Sequence, residues 1–331
     1  MKVVIPLAGF GTRLRPHTYT KPKPLVNVAG KPVLGHILDK LLELKVEEVI
    51  FIVGYLGEQI EDYVQAHYSF DAGYVEQKEM LGQAHAISLA RDRLPGAALI
   101  IFVDTIFETD LSHLDEVDAD GVVYVKEVED PRRFGVAVVE RGRIIRLIEK
   151  PTSMQHNLAV VGLYYIRDAP WLMEAIDQLM QRGITTHGEY YLADALQLMI
   201  NDGARLIARP VEVWKDCGKP ETVLEANRYL LAQGHGNSEK VRKMVTEGSL
   251  LIPPVHIDPT ARIIHSIVGP YVTIAPRCEV RDSVIRDSII DEGAHIADTM
   301  LEQSLIGKEA LVKGRYQKLN VGDSSSVDLG Q

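Results

Sequence analysis

The residues best placed to do chemistry fall in the stretch 7–24, LAGFGTRLRPHTYTKPKP, directly behind the apolar run Val3-Val4-Ile5-Pro6. Gly9 and Gly11 permit positive φ and close approach of the backbone to a ligand. The exposed N–H groups of such a turn form an anion-binding concavity. Arg13 adds a planar fork of donors suited to phosphate oxygens. Lys23, between Pro22 and Pro24, is a point charge on a locally stiff backbone. The stretch can therefore grip phosphate; taken alone, it reads equally well as a surface loop whose charges are solvated. Two other phosphate loops are excluded: G-x-x-x-x-G-K-[ST] is absent, and G-x-G-x-x-G fails at Leu14. A nicotinamide dehydrogenase loses its main support.

The elements that must position this loop alternate short β-rich runs with helical patterns, which predicts an α/β domain with a mainly parallel, Rossmann-like mixed sheet and flanking helices. Strands are expected at 3–8, 49–54, 98–103, 121–126, 135–140, 144–149, 159–166 and 205–210. Helices are expected at 33–44, 59–67, 83–93, 170–181, 192–201 and 220–232. The net charge of −10 over 331 residues, without a basic stripe, argues against a nucleic-acid polymer as partner. No apolar run reaches the ~20 residues of a bilayer span, so no membrane partner is expected. The N-terminal MKVVIPLAGFG breaks at Pro6 and Gly9, unlike a signal peptide. With only Cys217 and Cys278, neither a disulfide framework nor a cysteine metal cluster is implied, and the expected compartment is the cytoplasm.

From Val268 onward the pattern changes. Apolar residues recur at Val268, Ile274, Val280, Ile285, Ile290, Ile296, Leu301, Ile306 and Val312, in steps of five or six. That rhythm fits a β-helix, in which each side of a coil turns one side chain inward. Gly269-Pro270, Arg281-Asp282-Ser283 and Arg286-Asp287-Ser288 supply corners. The expected organisation is a catalytic domain at 1–232, a polar linker at 233–250 and a β-helix at 251–331, with 250–259 and 319–331 as candidate caps.

The opening stretch, with Pro22-Lys23-Pro24 and Lys31-Pro32, resembles the signature of the sugar-phosphate nucleotidyltransferase family, L-A-G-G-x-G-T-R-L-x-P-x-T followed by P-K-P and K-P. The resemblance covers nearly the whole chain. It implies that Leu7, Ala8, Gly9, Gly11, Thr12 and Arg13 wrap a nucleoside triphosphate, and that Arg13 and Lys23 are catalytic. EQKEMLGQAHAI (76–87) looks like the base-reading segment, with Gln77 and Gly82 at the nucleobase; an amide offers a donor beside an acceptor, which suits thymine or uracil. VDTIFETDL and VWKDCGKPETVLEANR place Asp104 and Asp216 at the positions that hold Mg²⁺. FGVAVVERGRIIRLIEKP and NLAVVGLYYI supply Gly135, Glu149, Lys150 and Val160 at the sugar-phosphate positions, and GEYYLADAL carries Glu189 and Asp194. With the tail VGDSSSVDL, the chain is most similar to the long form of the glucose-1-phosphate thymidylyltransferases, which implies a left-handed β-helix and assembly as a homo-oligomer.

What the resemblance implies is the joining of a nucleoside triphosphate, dTTP first, to a hexose 1-phosphate, glucose 1-phosphate first, with release of pyrophosphate. Open alternatives are UTP or GTP as donor, mannose or N-acetylglucosamine 1-phosphate as acceptor, a bifunctional enzyme with acyl transfer at His265 or His295, and a non-catalytic sensor. Three positions depart from the family pattern: Phe10 and Val103 stand where glycine is usual, and Ala193 where threonine is usual. Val103 is expected to crowd the nucleoside sugar.

Overall fold

A computed structural model describes residues 1–241 and 248–314. The closing VGDSSSVDL and the candidate cap at 319–331 lie outside the described residues. By contact density the chain divides into two compact units, Met1–Ala226 and Asn227–Gln331.

In the first unit the strands are β1 (Lys2–Pro6), β2 (Glu48–Val53), β3 (Ala72–Glu76), β4 (Ala98–Ile101), β5 (Thr105–Glu108), β6 (Gly121–Glu127), β7 (Gly135–Glu140), β8 (Arg143–Glu149), β9 (Leu158–Ile166), β10 (Leu206–Pro210) and β11 (Val213–Asp216). The main sheet runs β8-β7-β9-β4-β1-β2-β3, with β6 also on β9 and β10 on β6. Pairs β4-β1, β1-β2 and β2-β3 are parallel, while β9 runs antiparallel to β4, β6 and β7, so the sheet is mixed as expected. Val3, Val4 and Ile5 of the central β1 are fully buried, as a strand covered on both faces requires.

Helices α1 (Val33–Leu41), α2 (Gly57–His67), α3 (Gln83–Ser88), α4 (Ala169–Gln181), α5 (Leu192–Asn201) and α6 (Pro220–Ala232) follow the predicted periodicity. The predicted helix at 83–93 is two pieces, α3 and a 3-10 turn at Arg91–Arg93. Helix α4 opens with Pro170 in its first turn and the Asp168 carboxylate accepting from the Trp171 N–H at 3.3 Å. A two-residue hairpin pair, Asn27–Val28 with Lys31–Pro32, escapes the sequence pattern, as do three longer strands. One is β3; the others are β5 and β11, which pair with each other antiparallel, Thr105 opposite Asp216.

The second unit holds three four-stranded parallel sheets wrapped around one apolar interior, the arrangement expected of the left-handed β-helix. Its inward columns take in every residue of the sequence rhythm and begin one coil earlier, at Leu251, Ile257 and Ile263. Leu251, Val268, Ile285 and Leu301 stack in register, as do Ile257, Ile274, Ile290 and Ile306, and Ile263, Val280, Ile296 and Val312. Corners at Asp282, Asp287 and Asp298 take left-handed φ of 48°, 44° and 53°, which aspartate tolerates better than most residues. Serine hydroxyls run along one edge: Ser249, Ser266 and Ser283 each accept from the backbone N–H one coil further on.

Candidate active site

The loop after β1 is anchored by apolar and hydroxyl residues. Leu14 is fully buried inside a 3-10 turn, Thr12–Leu14, and the Thr18 hydroxyl donates to the Gly11 carbonyl at 2.9 Å. Gly11 has φ 61°, and a Cβ there would stand 2.9 Å from the Lys23 Cβ. Gly9 is not in the left-handed region; a Cβ would meet nothing within 4 Å, so its contribution is open room for a ligand. Lys23 starts a second 3-10 turn after Pro22, and its ammonium lies 3.5 Å from Asp104 Oδ2.

Two cavities adjoin at the carboxyl ends of β1 and β4. The larger, about 550 Å³, is lined by Arg13, Asp104, Gly135, Glu149, Lys150, Val160 and Asp216, among others. The smaller, about 360 Å³, is lined by Leu7, Ala8, Gly9, Lys23, Gln77, Gly82 and again Asp104. Phe102, Asp104, Gln83 and Glu189 line both. Arg13, Lys23, Asp104 and Asp216 therefore meet around one connected site divided in two. Gly11 and Thr12 line neither cavity. Both glycine replacements sit in the wall of the smaller cavity: Val103 is buried, and Phe10 is 48% exposed with its ring 6.2 Å from that of Tyr55. Ala193 lines the larger.

The β5–β11 pair brings the two aspartates together. Asp104 directly precedes β5 and Asp216 ends β11; the Cys217 N–H donates to the Asp104 carbonyl at 2.7 Å. Asp216 is oriented through both oxygens, by the Gly218 N–H at 3.0 Å and the Thr222 hydroxyl at 3.1 Å. Among the described residues no group of three or more metal-ligating side chains gathers. Two hard carboxylates are the usual protein share for Mg²⁺, which keeps waters and takes substrate phosphate. The charges agree: the larger cavity sets Arg13, Arg133 and Lys150 against Asp104, Glu149, Glu189 and Asp216, a net acidic lining in which a phosphorylated ligand needs a further cation. The residues present fit Mg²⁺.

At the far end, Lys150 has φ 44°, an uncommon conformation for a side-chain-bearing residue. Its ammonium donates to the Tyr191 hydroxyl at 3.0 Å, which raises its pKa and keeps it charged. The Glu149 carboxyl titrates above the ordinary carboxylate range, first because of burial; Lys150 pulls it down, while Asp194 and Glu189 push it up. Native Glu149 thus holds its proton to higher pH than unfolded Glu149, and its contribution to stability, complete below about pH 4.5, is lost as pH rises through the folded value. Glu149→Gln is expected to melt higher than the parent near pH 8, with the difference shrinking toward about pH 4 in thermal melts across pH.

Sequence reasoning missed Trp214, Thr105, Tyr164 and Tyr191, all of which line the larger cavity. The Trp214 Nε1 and Thr105 Oγ1 atoms are buried and have no hydrogen-bond partner among the described residues. The available signal was the cross-strand register that puts Thr105 beside Asp216, visible only once β5 and β11 are recognised. Cys217 is buried, with its thiol pKa raised by that burial, which suits a packing residue and not a nucleophile. In the second unit, His265 is exposed beside Asp282, at 3.5 Å, and His295 is exposed on its strand.

Two adjoining cavities that share Asp104 thus lie behind a glycine loop at the carboxyl edge of an α/β sheet, the usual place for a ligand in such a fold. Residues 2–233 match the family of nucleotidyl transferases, and the chain belongs to that family; it is a nucleotidyltransferase. It is 33% identical to the low-salt glycan biosynthesis nucleotidyltransferase Agl11 of Haloferax volcanii over 99% of this chain and all of that one. It is 30% identical to a glucose-1-phosphate thymidylyltransferase of Streptomyces griseus over 99% of both. Among solved structures, a UDP-glucose pyrophosphorylase complexed with UDP-glucose superposes with a TM-score of 0.62 at 25% identity, over 70% of this chain and 98% of that one.

Proposed function

We propose that the protein joins dTTP to glucose 1-phosphate, forming a nucleoside diphosphate sugar and pyrophosphate. The observation that carries this reading is the pair of cavities sharing Asp104, one lined by Lys23 and the other by Arg13, Arg133 and Lys150. A thymidylyltransferase relative that aligns end to end supports the thymidine donor.

In this reading the smaller cavity takes the nucleotide, with Gln77 and Gly82 at the base and Leu7, Ala8 and Gly9 along the sugar and phosphates. The larger takes the sugar phosphate, with Lys150 on the phosphate and Gly135, Glu149 and the Val160 backbone at the hydroxyls. The attacking atom is a phosphate oxygen whose second pKa is ~6, so it is largely ionised at neutral pH and needs no general base. The barrier is the approach of two anions and the charge that builds on departing pyrophosphate. Catalysis is then positioning plus neutralisation. Lys23, in the wall of the smaller cavity and 3.5 Å from the shared Asp104, can stabilise the in-line transition state, and Arg13, across Asp104 in the wall of the larger cavity, would draw the leaving pyrophosphate toward it. Asp104 and Asp216 would hold Mg²⁺, which supplies Lewis-acid charge when bound.

The test is pyrophosphate release with purified protein across dTTP, UTP, GTP, CTP and ATP against glucose, mannose and N-acetylglucosamine 1-phosphates. The highest kcat/KM is expected for dTTP with glucose 1-phosphate. Absence of pyrophosphate with every pair sinks the reading, and a clear UTP preference corrects the donor.

A further inference from the structure

We infer that His85 fixes which end of the Gln77 amide faces the nucleobase, and so acts as a positioning residue for base selection. This rests on the proposed assignment of Gln77 to base reading.

A glutamine amide has a donor end and an acceptor end of nearly equal size, so its neighbours decide which one a ligand meets. Gln77 follows β3, is only 5% exposed, and lines the smaller cavity. Its Nε2 faces the Gly82 carbonyl at 3.4 Å and His85 Nδ1 at 3.2 Å. A carbonyl can only accept, so the Gly82 oxygen requires the NH₂ end on that side. With both amide hydrogens so directed, His85 Nδ1 must be the bare nitrogen of the ring, and the proton rests on Nε2. Among the described residues Gln77 Oε1 takes no hydrogen bond. The amide therefore offers the ligand an acceptor alone, not the donor and acceptor side by side that its residue type suggests.

The backbone makes this geometry durable. Gly82 has φ 114°, a Cβ there would stand 2.6 Å from the Tyr190 carbonyl oxygen, and the Gly82 carbonyl is held by the Ala86 N–H at 3.1 Å. His85 lies in α3, whose Ala84 N–H donates to the same Tyr190 carbonyl at 2.9 Å. An outward acceptor suits thymine and uracil, whose N3 carries a hydrogen, and opposes cytosine, whose N3 is a lone pair. Without His85 only the longer contact, 3.4 Å to the Gly82 carbonyl, holds the NH₂ end, and the amide can turn and present Nε2, which suits cytosine.

The experiment measures kcat and KM for dTTP and CTP in the parent, His85→Leu, His85→Asn and Gln77→Ala. The parent is expected to prefer dTTP by about 10³ or more. His85→Leu is expected to narrow that preference at least about tenfold and raise the dTTP KM about tenfold, the worth of one hydrogen bond, with kcat held within about twofold. His85→Asn, whose Oδ1 stands where Nδ1 does and also accepts, is expected to restore both. If His85→Leu lowers kcat and leaves the dTTP-to-CTP ratio unchanged, His85 merely packs and the inference falls. A ¹⁵N spectrum of the parent gives a check independent of variant folding: Nδ1 of His85 must be unprotonated, and a proton there overturns the proposal. Gln77→Ala separates the two levels. An unchanged ratio in that variant removes Gln77 from base reading, whereas collapse there without collapse in His85→Leu removes His85 alone.

Discussion

Arg13→Ala is expected to lower turnover by about 10²–10³, roughly 3–4 kcal/mol of lost charge stabilisation, while the melting temperature stays at the parent value. The two halves of that expectation come from different residues of one loop. The guanidinium is exposed and lines the larger cavity beside Asp216; one of its nitrogens lies 3.3 Å from where a Gly218 side chain would begin. The loop conformation depends instead on buried Leu14, on the Thr18–Gly11 hydrogen bond and on the left-handed turn at Gly11, none of which uses Arg13. Removing the side chain therefore takes away charge and leaves the scaffold. Arg13→Lys should recover only part of the rate, because an ammonium cannot make the paired hydrogen bonds of a guanidinium. Pyrophosphate release and a thermal melt on the same preparations check both halves; near-parent turnover by Arg13→Ala would remove the arginine from the chemistry.

Much of this arrangement was legible because it repeats at the period of its element. The β-helix columns were read from spacing alone, since each inward residue must recur at the length of a coil side, and they stack as Val268, Ile285 and Leu301 do. Helices α5 and α6 match their expected bounds, having long apolar stripes. Strands β5 and β11 were missed for the opposite reason: four residues each is too short for alternation to stand out. Yet they are the strands that bring Asp104 to Asp216, so the resemblance supplied the two acids and could not supply the device that unites them. Strand β3, with Ala72 and Gly73 at its start, lies at the sheet edge and shows little apolar signal. The two glycine replacements, Phe10 and Val103, both form the wall of the smaller cavity, the one we propose for the nucleotide. The Gln77 amide was not legible in its orientation, because residue type alone does not say which end a neighbour occupies.

Asp104→Asn and Asp216→Asn are each expected to lower turnover by about 10²–10³, and the double variant to lose no more than about tenfold beyond the worse single. The two carboxylates reach the site from different strands, but the β5–β11 pairing sets Thr105 opposite Asp216 and ties Cys217 to the Asp104 carbonyl. Their surroundings differ: Asp104 lies 3.5 Å from the Lys23 ammonium, while Asp216 is steered by Gly218 and Thr222. If both act by holding one cation, loss of either removes the same function, and the second substitution finds little left to remove. If each acts by itself, the losses multiply to about 10⁴–10⁶. Binding of Mn²⁺ with nucleotide, followed by its paramagnetic signal, gives the readout that activity cannot: all three variants should weaken the metal to a similar degree. A multiplicative loss of rate, with metal affinity intact in one of the single variants, would separate the two acids and leave that one with a role in electrostatics or loop geometry only.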